Sequence, residues 1–171
     1  MMKYSKIGQA WGFDLLIAVS IFFIGMVIFF LYSINYPKEG QQEIEMLQYE
    51  SDYIGEILLS EGYPSDWNIE NLGKIGIVNN GKINETKLER FYSLANNNLN
   101  PSGYEQVKSL FNTRYNFFIN FSRPIIISGS EILEGGIGKN FVGEDSENLL
   151  KTTRITTYQN SPVTMNLYLW N

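Results

Sequence analysis

Apolar residues run almost without a break from Phe13 to Asn35, and no charged side chain lies between Leu15 and Tyr32. At ~1.5 Å per helical residue, a run of this length covers most of a ~30 Å bilayer core. Aromatic rings flank it, Trp11 and Phe13 on one side and Tyr32 and Tyr36 on the other, where amphipathic rings settle at headgroup depth. The pattern predicts a basic leader over 1–12, a transmembrane helix over 13–36 and an external domain over 37–171. A secretory signal would have a shorter apolar region of roughly 7–15 residues and then a small-residue cleavage site. Here the run ends in Tyr32-Ser33-Ile34-Asn35-Tyr36.

Pro37 marks a break, since proline removes a helix donor and restricts its predecessor. Beyond it Ile44, Leu47, Ile54 and Leu58 recur at three-to-four spacing, with Ile57 alongside and Ser51 interrupting. That period predicts an amphipathic helix from Glu39 to Ser60, ended by Gly62 and Pro64. Tyr63 to Asn71 reads as a loop with Trp67 tucked inward, and Lys74 to Val78 as a short strand closed by the tight turn Asn79-Asn80-Gly81. Asn84 is the expected N-cap of a helix from Glu85 to Ala95 with Leu88, Phe91, Tyr92 and Ala95 as its apolar stripe. A second short helix, Ser102 to Phe111, points Tyr104, Val107, Leu110 and Phe111 one way.

The period then changes to two. Tyr115, Phe117, Ile119 and Phe121 alternate with Asn116, Phe118, Asn120 and Ser122, which predicts a strand with one buried face. Arg123-Pro124 breaks it, and Ile125 to Ile127 reads as a brief strand. Ser128 to Asn148, rich in glycine and acids, reads as a long exposed loop. Leu149–Tyr158 and Val163–Trp170, joined by a turn over Gln159 to Pro162, predict a C-terminal hairpin. The sum is an α+β fold, in which a long N-terminal membrane-spanning helix continues into an amphipathic helix packed against a small antiparallel β-sheet head.

Composition narrows the chemistry. The 171 residues contain no cysteine and no histidine, which excludes disulfides, zinc held by thiolate or imidazole, and Ser-His-Asp or Cys-His nucleophiles. Gly135-Gly136-Ile137-Gly138-Lys139-Asn140 lacks the first glycine and the hydroxyl residue of a phosphate-cradling loop, with Leu133 and Asn140 in those places. The acids Glu131, Glu134, Glu144, Asp145 and Glu147 do not have EF-hand spacing and read as a solvated loop. The expectation is no enzyme, no catalytic residue, no cofactor and no metal, and an acidic domain gives no reason to expect nucleic acid.

Charge orients the chain. Residues 1–36 carry Lys3, Lys6 and Asp14, whereas the rest carries 11 basic and 17 acidic side chains of the 13 and 18 in total. The basic pair precedes the apolar run, so the positive-inside rule predicts a single pass with a cytoplasmic N-terminus and an extracellular C-terminal domain. Asn84-Glu85-Thr86 and Asn120-Phe121-Ser122 are glycosylation sequons that suit such a domain.

The short basic leader, the Gly8-Gln9 junction, Asp14 and the membrane-length helix after it resemble the class III signal sequence of archaeal type IV pilin-like proteins. The resemblance covers about the first 35 residues. It implies a prepilin peptidase cutting between Gly8 and Gln9 and keeping the apolar helix, which then packs against copies of itself or related subunits. It also implies an assembly machinery and an acid that matches the terminal amine of a neighbour, a role that falls to Asp14. Counted from Gln9, Asp14 is sixth, one place later than is common in the family, and Asp rather than Glu. Gly12-Phe13, similar to the junction of bacterial prepilins, is the alternative cleavage point. Three functional classes remain: a structural subunit of a pilus-like surface filament or pseudopilus, a single-pass module that stays in membrane lipid as a binding or accessory protein, and last a membrane-anchored enzyme, which the absence of a catalytic motif and of His and Cys speaks against.

Overall fold

The computed structural model describes residues 7–34, 39–127, 130–131, 136–143 and 145–171. The chain divides into two units, Met1–Glu39 and Gly40–Asn171. The first is the helix α1 (Ile7–Ile34), longer at its start than the apolar run, and every side chain from Gly12 to Ile34 is exposed. Ser20 returns its hydroxyl to the Leu16 carbonyl at 2.8 Å, so this small polar group is satisfied within the helix. The predicted break at Pro37 lies outside the described residues.

The second unit begins on α2 (Glu39–Leu58), whose Leu47, Ser51, Ile54, Ile57 and Leu58 are buried. Its backbone then runs into a sharp reversal at Gly62, where φ is +75°. Trp67 is fully buried in the following loop, with Nε1 donating to the Gly76 carbonyl at 2.8 Å. The strand expected over Lys74 to Val78 does not form as such: it shrinks to a lone bridge between Tyr63 and Lys74, and β1 comprises only Val78–Asn79. The reason is a competing acceptor. Ile77 N donates to Leu58 O at 2.8 Å and Val78 N to Ser60 O at 3.3 Å, so these groups serve the end of α2 instead of a ladder. Gly76 makes that approach possible, because a Cβ there would overlap the backbone of Ser60 to Gly62.

Asn80 and Gly81, at φ 48° and 74°, form the predicted turn into β2 (Lys82–Ile83). Next come α3 (Glu85–Ala95) and α4 (Pro101–Phe111). The Asn84 side chain caps α3 by accepting from Lys87 N, and Asn100 caps α4 by accepting from Gly103 N. The stripes are close to expectation, except that Leu94 is buried in α3 while Tyr92 and Leu110 are only half-buried.

Strands β3 (Asn116–Phe121), β4 (Ile126–Ile127), β5 (Ser130–Glu131), β6 (Ile137–Gly138), β7 (Leu149–Tyr158) and β8 (Ser161–Trp170) complete the unit. The main sheet has the order β1-β2-β7-β8-β3-β6, and β4 pairs with β5 apart from it. It is mixed, which corrects the all-antiparallel expectation: β2 runs parallel to β7 at Lys82↔Thr157. Parallel neighbours need a long crossover, and the chain between them supplies one through two helices and β3 to β6. The core lies where Phe117, Ile119, Phe121, Val163, Met165, Leu167 and Leu169 meet Leu47, Ile54, Phe91, Val107 and Phe111.

Two further expectations change. Phe118 is buried on the far face of β3, because Phe141 at 5.7 Å and Tyr168 at 6.2 Å between ring centroids cover it. The acidic, glycine-rich segment is not all exposed loop either, since Ile137 is fully buried and β6 pairs with β3 at Phe118↔Gly138 and Ile119↔Ile137. The C-terminal hairpin turns in the two residues Gln159 and Asn160, at φ 48° and 61°, so Pro162 already lies in β8.

Candidate functional site

The most unusual surface of the chain is α1 itself. Over Gly12–Ile34 it is long and apolar enough to cross a membrane, and none of it is buried. Phe13, Leu15, Leu16, Phe22, Phe29 and Phe30 are each more than half exposed. A helix apolar on every side has no polar face to turn to water, so its stable surroundings are lipid or other apolar helices. Asp14 sits near the start of this surface and is exposed, while Gly8 and Gln9 fall within the helical backbone of α1. Residues 1–6 of the leader lie outside the described residues.

The two sequons occupy different settings. Asn84 Oδ1 accepts from Lys87 N at 3.0 Å as the α3 cap, and Asn120 Oδ1 accepts from Asn166 Nδ2 at 2.9 Å on the outer face of the sheet. In both, the amide oxygen is engaged. Asn166 also accepts from Thr153 Oγ1 at 3.1 Å, so an amide-hydroxyl row crosses β7, β8 and β3.

No local pattern marks Lys87, a lysine only 4 % exposed in the first turn of α3. Its Nζ donates to the carbonyls of Glu61 at 2.7 Å and Val78 at 3.0 Å, stitching the end of α2 and β1 to α3. Burial lowers its pKa, with the Glu61 carboxylate opposing that shift. A second lock joins the hairpin tip to the same helix. Tyr158 Oη donates to Glu85 Oε1 at 2.6 Å, and Gln159 Nε2 donates to both Glu85 Oε1 and Tyr158 Oη. Burial, then the bond to Glu85, raise the Tyr158 pKa. Arg123 braces this tip through the Tyr158 and Ser161 carbonyls. These groups are spent on bonds within the fold.

Glycine in the Gly136–Gly138 stretch has a packing reason. At Gly136 and Gly138, φ is +61° and +110°, and a Cβ would collide with the Phe118 ring and the Phe117 carbonyl respectively. The stretch therefore lies flat on β3. Of the acids considered for calcium, Glu134 and Glu144 lie outside the described residues, and among the described residues no group of three Asp or Glu side chains gathers around a common point. Recesses among the described residues open to solvent. One of about 470 Å³ is lined by Met46, Tyr49, Glu50, Tyr53, Phe111 and Asn112, beside Thr113, whose hydroxyl bonds Glu50.

No family model, no curated protein and no solved structure matches this chain.

Proposed function

We propose that the protein is a surface subunit held by α1, with an extracellular head, and that it assembles into a type IV pilus-like filament or pseudopilus through that helix. The observation that carries this reading is a helix apolar and exposed over Gly12–Ile34, ahead of a head that packs its own core. A surface of that kind is stable in lipid and equally stable against copies of itself, so a subunit can leave the bilayer for a filament core without exposing it to water. The N-terminal likeness to class III signal sequences adds the cleavage between Gly8 and Gln9, and Asp14 is the acid available to meet a neighbour's new amine.

Expression with an archaeal prepilin peptidase tests the reading. Edman sequencing of the membrane-extracted product is expected to begin at Gln9, and Asp14→Ala to leave processing intact while blocking incorporation into filaments. A product that retains Met1 and stays in the membrane as single copies favours the anchored binding module instead.

A further inference from the structure

Among the described residues, strand β7 has no strand partner along most of one edge. On one side it pairs with β8 from Leu149 to Tyr158, and on the other it meets β2 only at Lys82↔Thr157. Parity decides which backbone groups are left over. Ser122 N donates to Thr164 O at 2.8 Å and Thr164 N to Ser122 Oγ at 3.0 Å, so Thr164 spends both its groups on the β3 side. Its partner Ile155 therefore turns N–H and C=O away from β8, and alternation extends this to Thr153, Lys151 and Leu149. Among the described residues, no backbone hydrogen bond is made by the outward groups of these four.

Exposed edges in natural sheets are guarded by charge, proline or a bulge. Here the register against β8 is unbroken and β7 contains no proline. Its outer-face lysine is no guard, because Lys151 Nζ folds back to 5.6 Å from the ring centroid of Tyr168 on β8. Arg154, on the other face, is held by Asp52 at 2.7 Å. Leu149 and Ile155 stand 48 % and 76 % exposed at the two ends of the open stretch.

The same edge, read in reverse, complements itself. With two copies antiparallel and centred on Thr152, Leu149 of each faces Ile155 of the other, and Lys151 of each faces Thr153 of the other. Each apolar residue then covers an apolar one, neither lysine directly opposes a lysine, and the outward donors and acceptors fall into register. The strand carries no carboxylate, although the chain has a net charge of −5, so the edges meet without bringing strand acids together. We infer that the outer edge of β7 is a self-pairing site at which a second copy of this chain adds its own β7, joining two sheets into one. The two-fold axis reverses strand direction, so the α2 helices of the two copies start from opposite ends of the joined sheet. The pairing draws on nothing in the filament reading, and it stands or falls separately from it.

The cysteine-free chain allows a clean test on full-length protein in detergent. Thr152→Cys places two thiols at a non-hydrogen-bonded pair with Cα atoms ~4.5 Å apart, which a disulfide spans. Mild oxidation is expected to yield disulfide dimer about tenfold faster than with Asn98→Cys, at an exposed loop position. Mixing Leu149→Cys with Ile155→Cys is expected to cross-link the two variants to each other more than either to itself, which fixes the register. Adding Thr153→Pro to Thr152→Cys removes an outward N–H together with the Thr153 hydroxyl bond to Asn166 and is expected to cut the yield about tenfold, whereas Thr153→Ala, which loses the hydroxyl and keeps the N–H, is expected to leave it unchanged. Should proline disturb the strand, Ile155→Glu keeps the backbone and lowers the yield through the lost apolar contact. Equal rates for Thr152→Cys and Asn98→Cys overturn the inference, and so does dimer formation that survives Ile155→Glu.

Discussion

The first two helices follow one another in sequence and share almost nothing in how they are stabilised. Helix α1 is apolar all round and buries none of its side chains over Gly12–Ile34, whereas α2 buries Leu47, Ser51, Ile54, Ile57 and Leu58 and leaves Glu45, Gln48 and Glu56 in solvent. Apolar content therefore does not tell whether a helix belongs to a core. Angular distribution does: a stripe implies a neighbour on one side, and a complete cylinder implies a solvent that is itself apolar. The two helices accordingly respond to different surroundings.

The largest expected difference comes from truncating apolar side chains in each. Leu58→Ala, at a fully buried position, is expected to destabilise the head by about 2–5 kcal/mol in thermal or denaturant unfolding. Phe22→Ala, at a ring 64 % exposed, is expected to leave the same transition in place. If both variants melt alike, the contrast between the helices is wrong. A charge sharpens it from the other side. Ile24→Arg is expected to cost about 2.5–3.5 kcal/mol in glycosylation-mapped membrane insertion, while Met46→Arg on the exposed side of α2 stays within about 0.5 kcal/mol in head stability.

Smaller effects test how the head is closed around α2. Asn84→Ala removes the acceptor for Lys87 N and is expected to cost about 1 kcal/mol, read from hydrogen exchange in α3. Asp52→Asn breaks the link to Arg154, a pair open to solvent, and is expected to cost at most about 1 kcal/mol, less in high salt. The alkaline limb carries two opposing signs. Tyr158 has a raised pKa in the fold, so its contribution is complete below about pH 10 and fades as pH rises through the folded value. Lys87 has a lowered pKa, so the unfolded chain binds more protons between that value and about 10.5, and stability from this residue rises across that window. Melting curves of Tyr158→Phe are therefore expected to fall less steeply than the parent between about pH 9 and pH 11.

Much of the fold was legible from local signals. The Asn84 cap, the Asn80-Gly81 turn, the bounds of α3 and the register-bearing alternation of β3 and β8 each depend on residues a few positions apart, and each stands where the pattern placed it. Legibility failed where a group found a partner far along the chain. Lys74 to Val78 has the composition of a strand, yet the carbonyls of Leu58 and Ser60 took its donors. Phe118 alternates toward the polar side, but Phe141 and Tyr168 roofed it, and no sequence period reports a cover supplied by another segment. Lys87 reads as an ordinary surface lysine; its burial depends on two carbonyls at Glu61 and Val78 coming together. Of the candidate site residues, Asp14 was marked by its isolation at the head of an apolar run, a purely local feature.

What the sequence determined by itself is the division of the chain: a continuous apolar cylinder over α1, and after it alternating periods that cannot be satisfied without a core of their own. Local sterics and side-chain transfer between water and apolar surroundings act within a few residues, and they suffice for that much. Tertiary structure alone decided the parallel pairing of β2 with β7, the burial of Lys87 and, among the described residues, the β7 edge left without a strand partner. Those outcomes depend on which distant backbone groups the complete fold brings within reach of each other, and a free donor or acceptor is defined only once every other strand has taken its place.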